Sequence, residues 1–240
     1  MYPMRMCPTA LNPRVQDSVP DGASGETPLQ AMPLPAPTPH TQDKAALRRQ
    51  LRGIRKSVPD GIRRRAGQAL VRHALRHRLL AARKRIGFYM PANAEIDIMP
   101  LLNRAYAMGV QCFLPIVPGR GRLKMWFSRL EHQPHLPRHW RLNRFGIPEY
   151  HAPRGLRLRG AALHQVFMPM LGFDARGYRI GMGGGYYDAS LAFLGTRKTW
   201  RAPRLIGVAF SAQQTERIPN DPWDVPLDGI LTERGLLRPR

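Results

Sequence analysis

Four glycines fall within five residues in the run RIGMGGGYYD at 179–188, with Arg179 ahead of them and Tyr186, Tyr187 and Asp188 behind. Glycine permits positive φ and carries no Cβ, so successive backbone N–H groups can converge on phosphate oxygens at the positive end of a following helix. The run is not a Walker A loop, because GxxxxGK[ST] is absent, and it does not complete GxGxxG, because Tyr186 fills the sixth position. On Gly181, Gly183, Gly184 and Gly185 alone, a structural turn accounts for the pattern as well as a polyphosphate cradle does. The flanking residues narrow the choice. The planar fork of Arg179 suits bidentate binding of phosphate oxygens, although a loop salt bridge would also use it. Asp188 could hold a hard cation, or simply sit as a favourable charge at a helix start, worth about 0.3–1 kcal/mol.

Such a site needs strands and helices to hold it. The stretch HQVFMPMLGFD predicts a strand leading into a turn at 175–177, and GGYYDASLAFL predicts the helix that follows the glycines. Upstream, RIGFYMP, then DIMPLLNRAYAMG with Pro100 in its first turn, then VQCFLPIVP read as strand, helix and strand. LKMWFSRL, RLIGVAF and LDGILTE add strand candidates. Two basic amphipathic helices come before all of these. The first is capped by Asp43 and presents Ala46, Leu47, Leu51 and Ile54 on one face, with Arg48, Arg49, Arg52 and Arg55 largely off it. Pro59 ends it, Asp60 caps the second, and Ala66, Leu70, Ala74 and Leu75 form the second stripe up to about residue 82. Strands alternating with helices predict an α/β fold with an open, mostly parallel sheet flanked by helices, which gathers ligands at the carboxyl ends of its strands. Residues 131–163, around FGIPEY, read as long loops over the sheet.

The remaining 1–41 segment is rich in Pro, Ala, Ser and Thr without any period, and it reads as a disordered or extended tail ahead of a single α/β domain at 42–240. The formal net charge is +22, but the basic residues are spread along the chain and come with no zinc-finger or aromatic RNA-binding pattern. A generally basic surface or an acidic small-molecule substrate explains the charge better than nucleic acid does. Cys7 and Cys112 suggest neither a disulfide framework nor a metal cluster, and the eight histidines show no ligand spacing. With no membrane-length apolar run and no signal-peptide pattern, the cytoplasm is the expected location.

RIGMGGGYYD, preceded by MPMLGFD and followed by IPNDPWDVPLDGILTE, resembles the 5-formyltetrahydrofolate cyclo-ligase family. KAALR at 44–48, YMPANAEIDIMPLL and RFGIPE resemble the family's first helix, folate-side loop and middle loop, in the right order across about 43–235. The resemblance implies ATP- and Mg²⁺-dependent conversion of 5-formyltetrahydrofolate, with one or more glutamates, to 5,10-methenyltetrahydrofolate. The formyl oxygen is phosphorylated, and ADP and phosphate are released.

By that resemblance, Arg179 and Lys44 are catalytic. ATP is held by Lys44, Arg48, Arg179, Gly181, Gly183, Gly184, Gly185, Tyr186 and Tyr187; folate by Met90, Glu95 and Tyr187; and Mg²⁺ by Asp188 and Asp224, with Asp221 an alternative to Asp224. Phe88 and Trp126 are weaker candidates for an aromatic wall and read better as core packing. Some members carry a basic side chain where this chain has Met182 or Gly184, so neutralisation of phosphate falls here to Arg179, Lys44 and the metal. Two other classes stay in view. A basic nucleic-acid-binding module would leave the glycine run unexplained, and a sugar-phosphate isomerase or CoA-transferase on a similar sheet would need no Mg-ATP.

Overall fold

In the computed structural model, which describes residues 39–131, 139–196, 202–221 and 224–239, the apolar runs become strands of one open sheet. Helices α1 (Pro39–Lys56) and α2 (Asp60–Arg76) lead to β1 (Arg85–Gly87), α3 (Met99–Ala107), β2 (Gln111–Ile116) and β3 (Trp126–Arg129). A hairpin of β4 (Trp140–Leu142) and β5 (Pro148–Tyr150) follows, then β6 (Arg157–Leu158) and β7 (Gln165–Pro169). A second hairpin, β8 (Gly172–Phe173) and β9 (Arg179–Ile180), precedes α4 (Tyr186–Leu191), β10 (Arg204–Val208), β11 (Gly229–Leu231) and β12 (Leu236–Leu237).

The sheet order is β12-β11-β10-β7-β1-β2-β3-β6, in which the five strands from β11 to β2 are parallel and the outer strands are antiparallel. Successive side chains point to opposite faces. Cys112, Leu114 and Phe167 therefore meet Leu70, Leu101 and Leu102 of α2 and α3, while Phe113, Val166 and Met168 meet Phe127 and Leu191. A third cluster, Leu51 with Leu171, Ile180 and Ile218, fastens α1 to the β8–β9 hairpin. Each such leucine contributes roughly 1.5–3 kcal/mol by burial. From β1 the chain winds to β2 on one side and later returns β7 to the other, so the switch point lies between β1 and β7. Among the described residues no helix is long and apolar enough to cross a membrane.

Several expectations are corrected. Helix α1 begins at Pro39, so Asp43 lies inside it and does not cap it, and 39–41 belong to the helix. Proline is suited to a first helical turn because its fixed φ is helical and its missing N–H would have had no partner. The rest of the Pro-rich tail lies outside the described residues. Asp60 is the first residue of α2, whose cap is Pro59 without a side-chain hydrogen bond, and α2 stops at Arg76. Leu75 is 37% exposed and off the packed face, which Ala66, Ala69, Leu70 and Ala74 form. Arg55, expected on the outside of α1, is buried. The 131–163 region holds β4, β5 and β6 and is not wholly loop. Trp126 is not core: it is 41% exposed on β3, under the guanidinium of Arg159 at 3.7 Å. Phe88 does pack inside, against Phe167 at 5.2 Å.

Candidate active site

The end of the cavity that carries the glycine run is held by a buried carboxylate that the sequence did not single out. Asp174 has no exposed surface and accepts from the backbone N–H of Arg176 (3.0 Å), Tyr178 (3.1 Å) and Ile218 (3.0 Å), and from Arg176 Nη2 (2.7 Å). It shapes the turn between β8 and β9 and ties that hairpin to the 218–225 segment. The chain then enters the glycine run, where Gly183 (φ 98°) and Gly185 (φ 67°) adopt backbone conformations that side chains resist. Arg179 spans the two segments, with Nη1 donating to the carbonyl of Val225 at 2.8 Å and Nη2 meeting Asp188 Oδ1 at 2.5 Å.

Helix α1 delivers two more cations from one face, four residues apart. Arg48 Nε donates to the carbonyl of Gly181 at 3.1 Å. Lys44 Nζ lies 2.6 Å from Asp221 Oδ2 and 3.8 Å from Asp224 Oδ2, and Asp224 also accepts from the Asp221 N–H at 2.8 Å.

Thirteen residues proposed from sequence line one cavity of about 700 Å³, namely Lys44, Arg48, Met90, Glu95, Arg179, Gly181, Gly183, Gly184, Gly185, Tyr186, Tyr187, Asp188 and Asp224, whereas Asp221, Phe88 and Trp126 are not in its wall. It opens at the carboxyl ends of β1, β2 and β7, where Tyr89, Val117 and Met170 complete its wall. In the segment after β1, Glu95 Oε2 accepts from the Ala92 N–H at 3.1 Å, and Tyr89 donates its hydroxyl to the Ile96 carbonyl at 2.8 Å. Burial pushes the Glu95 carboxyl up from its ordinary range, against the downward pull of the Ala92 amide and of Arg55. Burial likewise pushes the Tyr89 and Tyr187 hydroxyls up, so both stay protonated donors at neutral pH.

Sequence reasoning missed the contribution of the middle loop. Glu149, 5% exposed, accepts from the Val117 N–H at 2.8 Å and from Asn143 Nδ2 at 2.9 Å, which clips the loop to the end of β2. Asn143 Oδ1 in turn accepts from the N–H of Phe145 (2.8 Å) and Ile147 (3.1 Å). Phe145 therefore stands at the rim 6.2 Å from the Tyr186 ring, with Arg144 stacked on both rings and donating to the Tyr186 hydroxyl. FGIPEY signals a loop, but nothing in it signals that Glu149 turns inward.

Among the described residues no three carboxylate, His or Cys side chains gather into a metal cage. Asp188 and Asp224 both border the cavity, and their side chains are 67% and 31% exposed. Two partly solvated carboxylates beside the glycine run suit a hard divalent cation that keeps several waters, and do not make a dedicated protein cage.

A model of the 5-formyltetrahydrofolate cyclo-ligase family matches residues 40–233. The 5-formyltetrahydrofolate cyclo-ligase of Haemophilus influenzae is 31% identical over 196 residues, covering 80% of this chain and 98% of that protein. The mouse protein of the same name is 27% identical over 194 residues, covering 79% and 93%. The solved structure of Aquifex aeolicus 5,10-methenyltetrahydrofolate synthetase superposes with a TM-score of 0.65 at 28% identity, covering 82% of this chain and 93% of that one. The chain belongs to this family.

Proposed function

We propose that this member of the 5-formyltetrahydrofolate cyclo-ligase family uses Mg-ATP to close 5-formyltetrahydrofolate into 5,10-methenyltetrahydrofolate, and does so in the cytoplasm. The observation that carries the proposal is the continuity of the cavity. Its glycine run, Lys44, Arg48 and Arg179 line the same space as Met90, Glu95 and Tyr187. An N-formyl oxygen is a poor leaving group. Its attack on the γ-phosphorus of ATP expels ADP and leaves the formyl carbon electrophilic; N10 then adds to that carbon, loses its proton, and inorganic phosphate departs. The protein's task is chiefly to hold the γ-phosphate beside the formyl oxygen and to meet charge as it moves.

Each residue has a physical part in that task. Backbone N–H groups of Gly183 to Gly185 cradle phosphate oxygens, and Arg48, anchored on the Gly181 carbonyl, braces the cradle from α1. Arg179 exchanges its ion pair with Asp188 for the transferring phosphoryl group, and Lys44 does the same from Asp221. Asp188 and Asp224 would hold Mg²⁺, directly or through water, and the cation would supply neutralisation of the charge that develops during transfer. Tyr187 and Met90 offer flat and pliable apolar surface to the pterin, and Glu95 accepts from its N–H groups. Purified protein mixed with 5-formyltetrahydrofolate and Mg-ATP should develop the methenyl chromophore, and omission of ATP should abolish it. Absence of the chromophore in the complete mixture would overturn the proposal.

A further inference from the structure

Arg55 stands apart from the other cations of α1. Arg49, Arg52 and Lys56 are exposed, whereas Arg55 is 2% exposed, the one buried Lys or Arg among the described residues. Its Nη1 lies 3.5 Å from Glu95 Oε1, yet neither Nη1 nor Nε has a hydrogen-bond partner, and Nη2 touches only the sulfur of Met182 at 3.8 Å. A brace from α2 secures this contact. Arg63 donates to the Arg55 carbonyl and to the Ala94 carbonyl, each at 2.8 Å, locking the end of α1 to the loop that carries Glu95.

We propose that Arg55 is a positioning residue for substrate recognition: its buried guanidinium holds Glu95 as an oriented carboxylate anion whose Oε1 stays available to N–H donors of the substrate ring. The assignment rests on the reading of Glu95 as a pterin contact. A buried ion pair is weak evidence for stability, because desolvating two charges costs several kcal/mol per ion and an apolar pair of similar volume does as well or better. A pair that also leaves donors unpaired is poorer still as a structural device. As a binding device it has a clear use: Oε2 is fixed by the Ala92 N–H, and Oε1 keeps lone pairs free while feeling the cation. Without the cation, burial would favour the neutral acid, which replaces one acceptor by a donor.

The groups facing Glu95 are Arg55 from α1, Tyr89 from the segment after β1, Tyr187 from α4 and the Ala92 amide of its own loop, with Arg63 behind Arg55. Of these only Arg55 and the amide favour the anion. R55M should therefore move the Glu95 titration upward toward neutrality, followed in the ligand-free protein by the ¹³C signal of labelled Glu carboxyls, with E95Q assigning the resonance. In turnover, R55M should raise the folate KM about ten- to a hundredfold, the loss of one charge-assisted hydrogen bond. That rise should be largest at low pH and shrink as pH increases, because Glu95 ionises again, while kcat and the ATP KM hold. R55K should restore both titration and KM, and E95Q should raise KM without the pH slope. A folded R55M with wild-type folate KM, or with an unmoved Glu95 signal, would overturn the proposal. Should R55M fail to fold, R55K and E95Q decide alone: an R55K that keeps the wild-type titration beside a pH-independent defect in E95Q supports it, and an E95Q with unchanged KM overturns it. If the unmodified protein made no methenyl product, the reading of the site would fall, while the carboxyl titration would still judge the pair.

Discussion

Arg179→Ala separates what this arginine does for the fold from what it does for the reaction. Its guanidinium is 11% exposed and makes two contacts, with the Val225 carbonyl at 2.8 Å and with Asp188 at 2.5 Å. Asp188 is 67% exposed, so solvent screening leaves that ion pair about 0–1 kcal/mol of stability. The charged donor on the part-buried Val225 carbonyl adds about 1.5–3 kcal/mol. A loss of roughly 1.5–4 kcal/mol is survivable for a domain with ~5–15 kcal/mol in hand, so the variant should fold, with its melting temperature lowered by several degrees. The effect on catalysis should be larger. A donor that meets charge mainly in the transition state is worth about 2–4 kcal/mol by analogy with an oxyanion-hole donor, which is roughly 30- to 1000-fold in kcat with little change in folate KM. Initial rates of methenyl formation, measured beside a circular-dichroism melt, give both quantities. A folded variant whose kcat stays close to the unmodified value would refute the reasoning and return Arg179 to a purely structural role.

The other expectations follow from the same geometry. Lys44→Met, which frees Asp221 and Asp224 from their cation, should raise the ATP KM about tenfold and leave the folate KM unchanged, as steady-state titration of each substrate would show. Gly183→Ala forces a side chain onto φ 98°, at a cost of about 1–3 kcal/mol, and should weaken nucleotide binding in calorimetry more than it lowers the melting temperature. Removal of residues 1–38 leaves α1 whole from Pro39 and should preserve kcat within about twofold, since the removed composition lacks a periodic apolar stripe; an inactive truncation would contradict that.

The order of strands and helices could be read from the sequence because period and punctuation agreed there. VQCFLPIVP, bounded by a turn and a proline, gives β2, and Pro100 sits in the first turn of α3 as its chemistry requires. What failed was local and tertiary. Asp43 looks like a cap because an aspartate stands before an apolar stripe, yet the helix continues through it. Arg55 reads as one more cation on a basic face, and only the fold of the Glu95 loop onto α1 makes it an interior residue. The two-residue strands β9 and β12 carry too few residues to show a period, and their pairing is set by the hairpin turn and by β11. The thirteen proposed site residues line one cavity because Met90 and Glu95 follow β1, Lys44 and Arg48 stand on α1, Arg179 to Asp188 run from β9 through the glycines into α4, and Asp224 lies on the segment before β11. Their gathering into one site was legible as motif. The supports behind them, Asp174 inside the β8–β9 turn and Glu149 beneath the middle loop, were not, since a lone carboxylate gives no sign in sequence of how many backbone amides will close around it.

The most direct test of the proposed chemistry follows one oxygen atom. With 5-formyltetrahydrofolate labelled with ¹⁸O in the formyl group, attack of that oxygen on the γ-phosphorus predicts that the label leaves in inorganic phosphate, one atom for each methenyl group formed, as read by mass spectrometry or by the isotope shift in ³¹P spectra. Label released into water instead, with unlabelled phosphate, would contradict phosphorylation of the formyl oxygen and with it the roles given to Arg179, Lys44 and the glycine run.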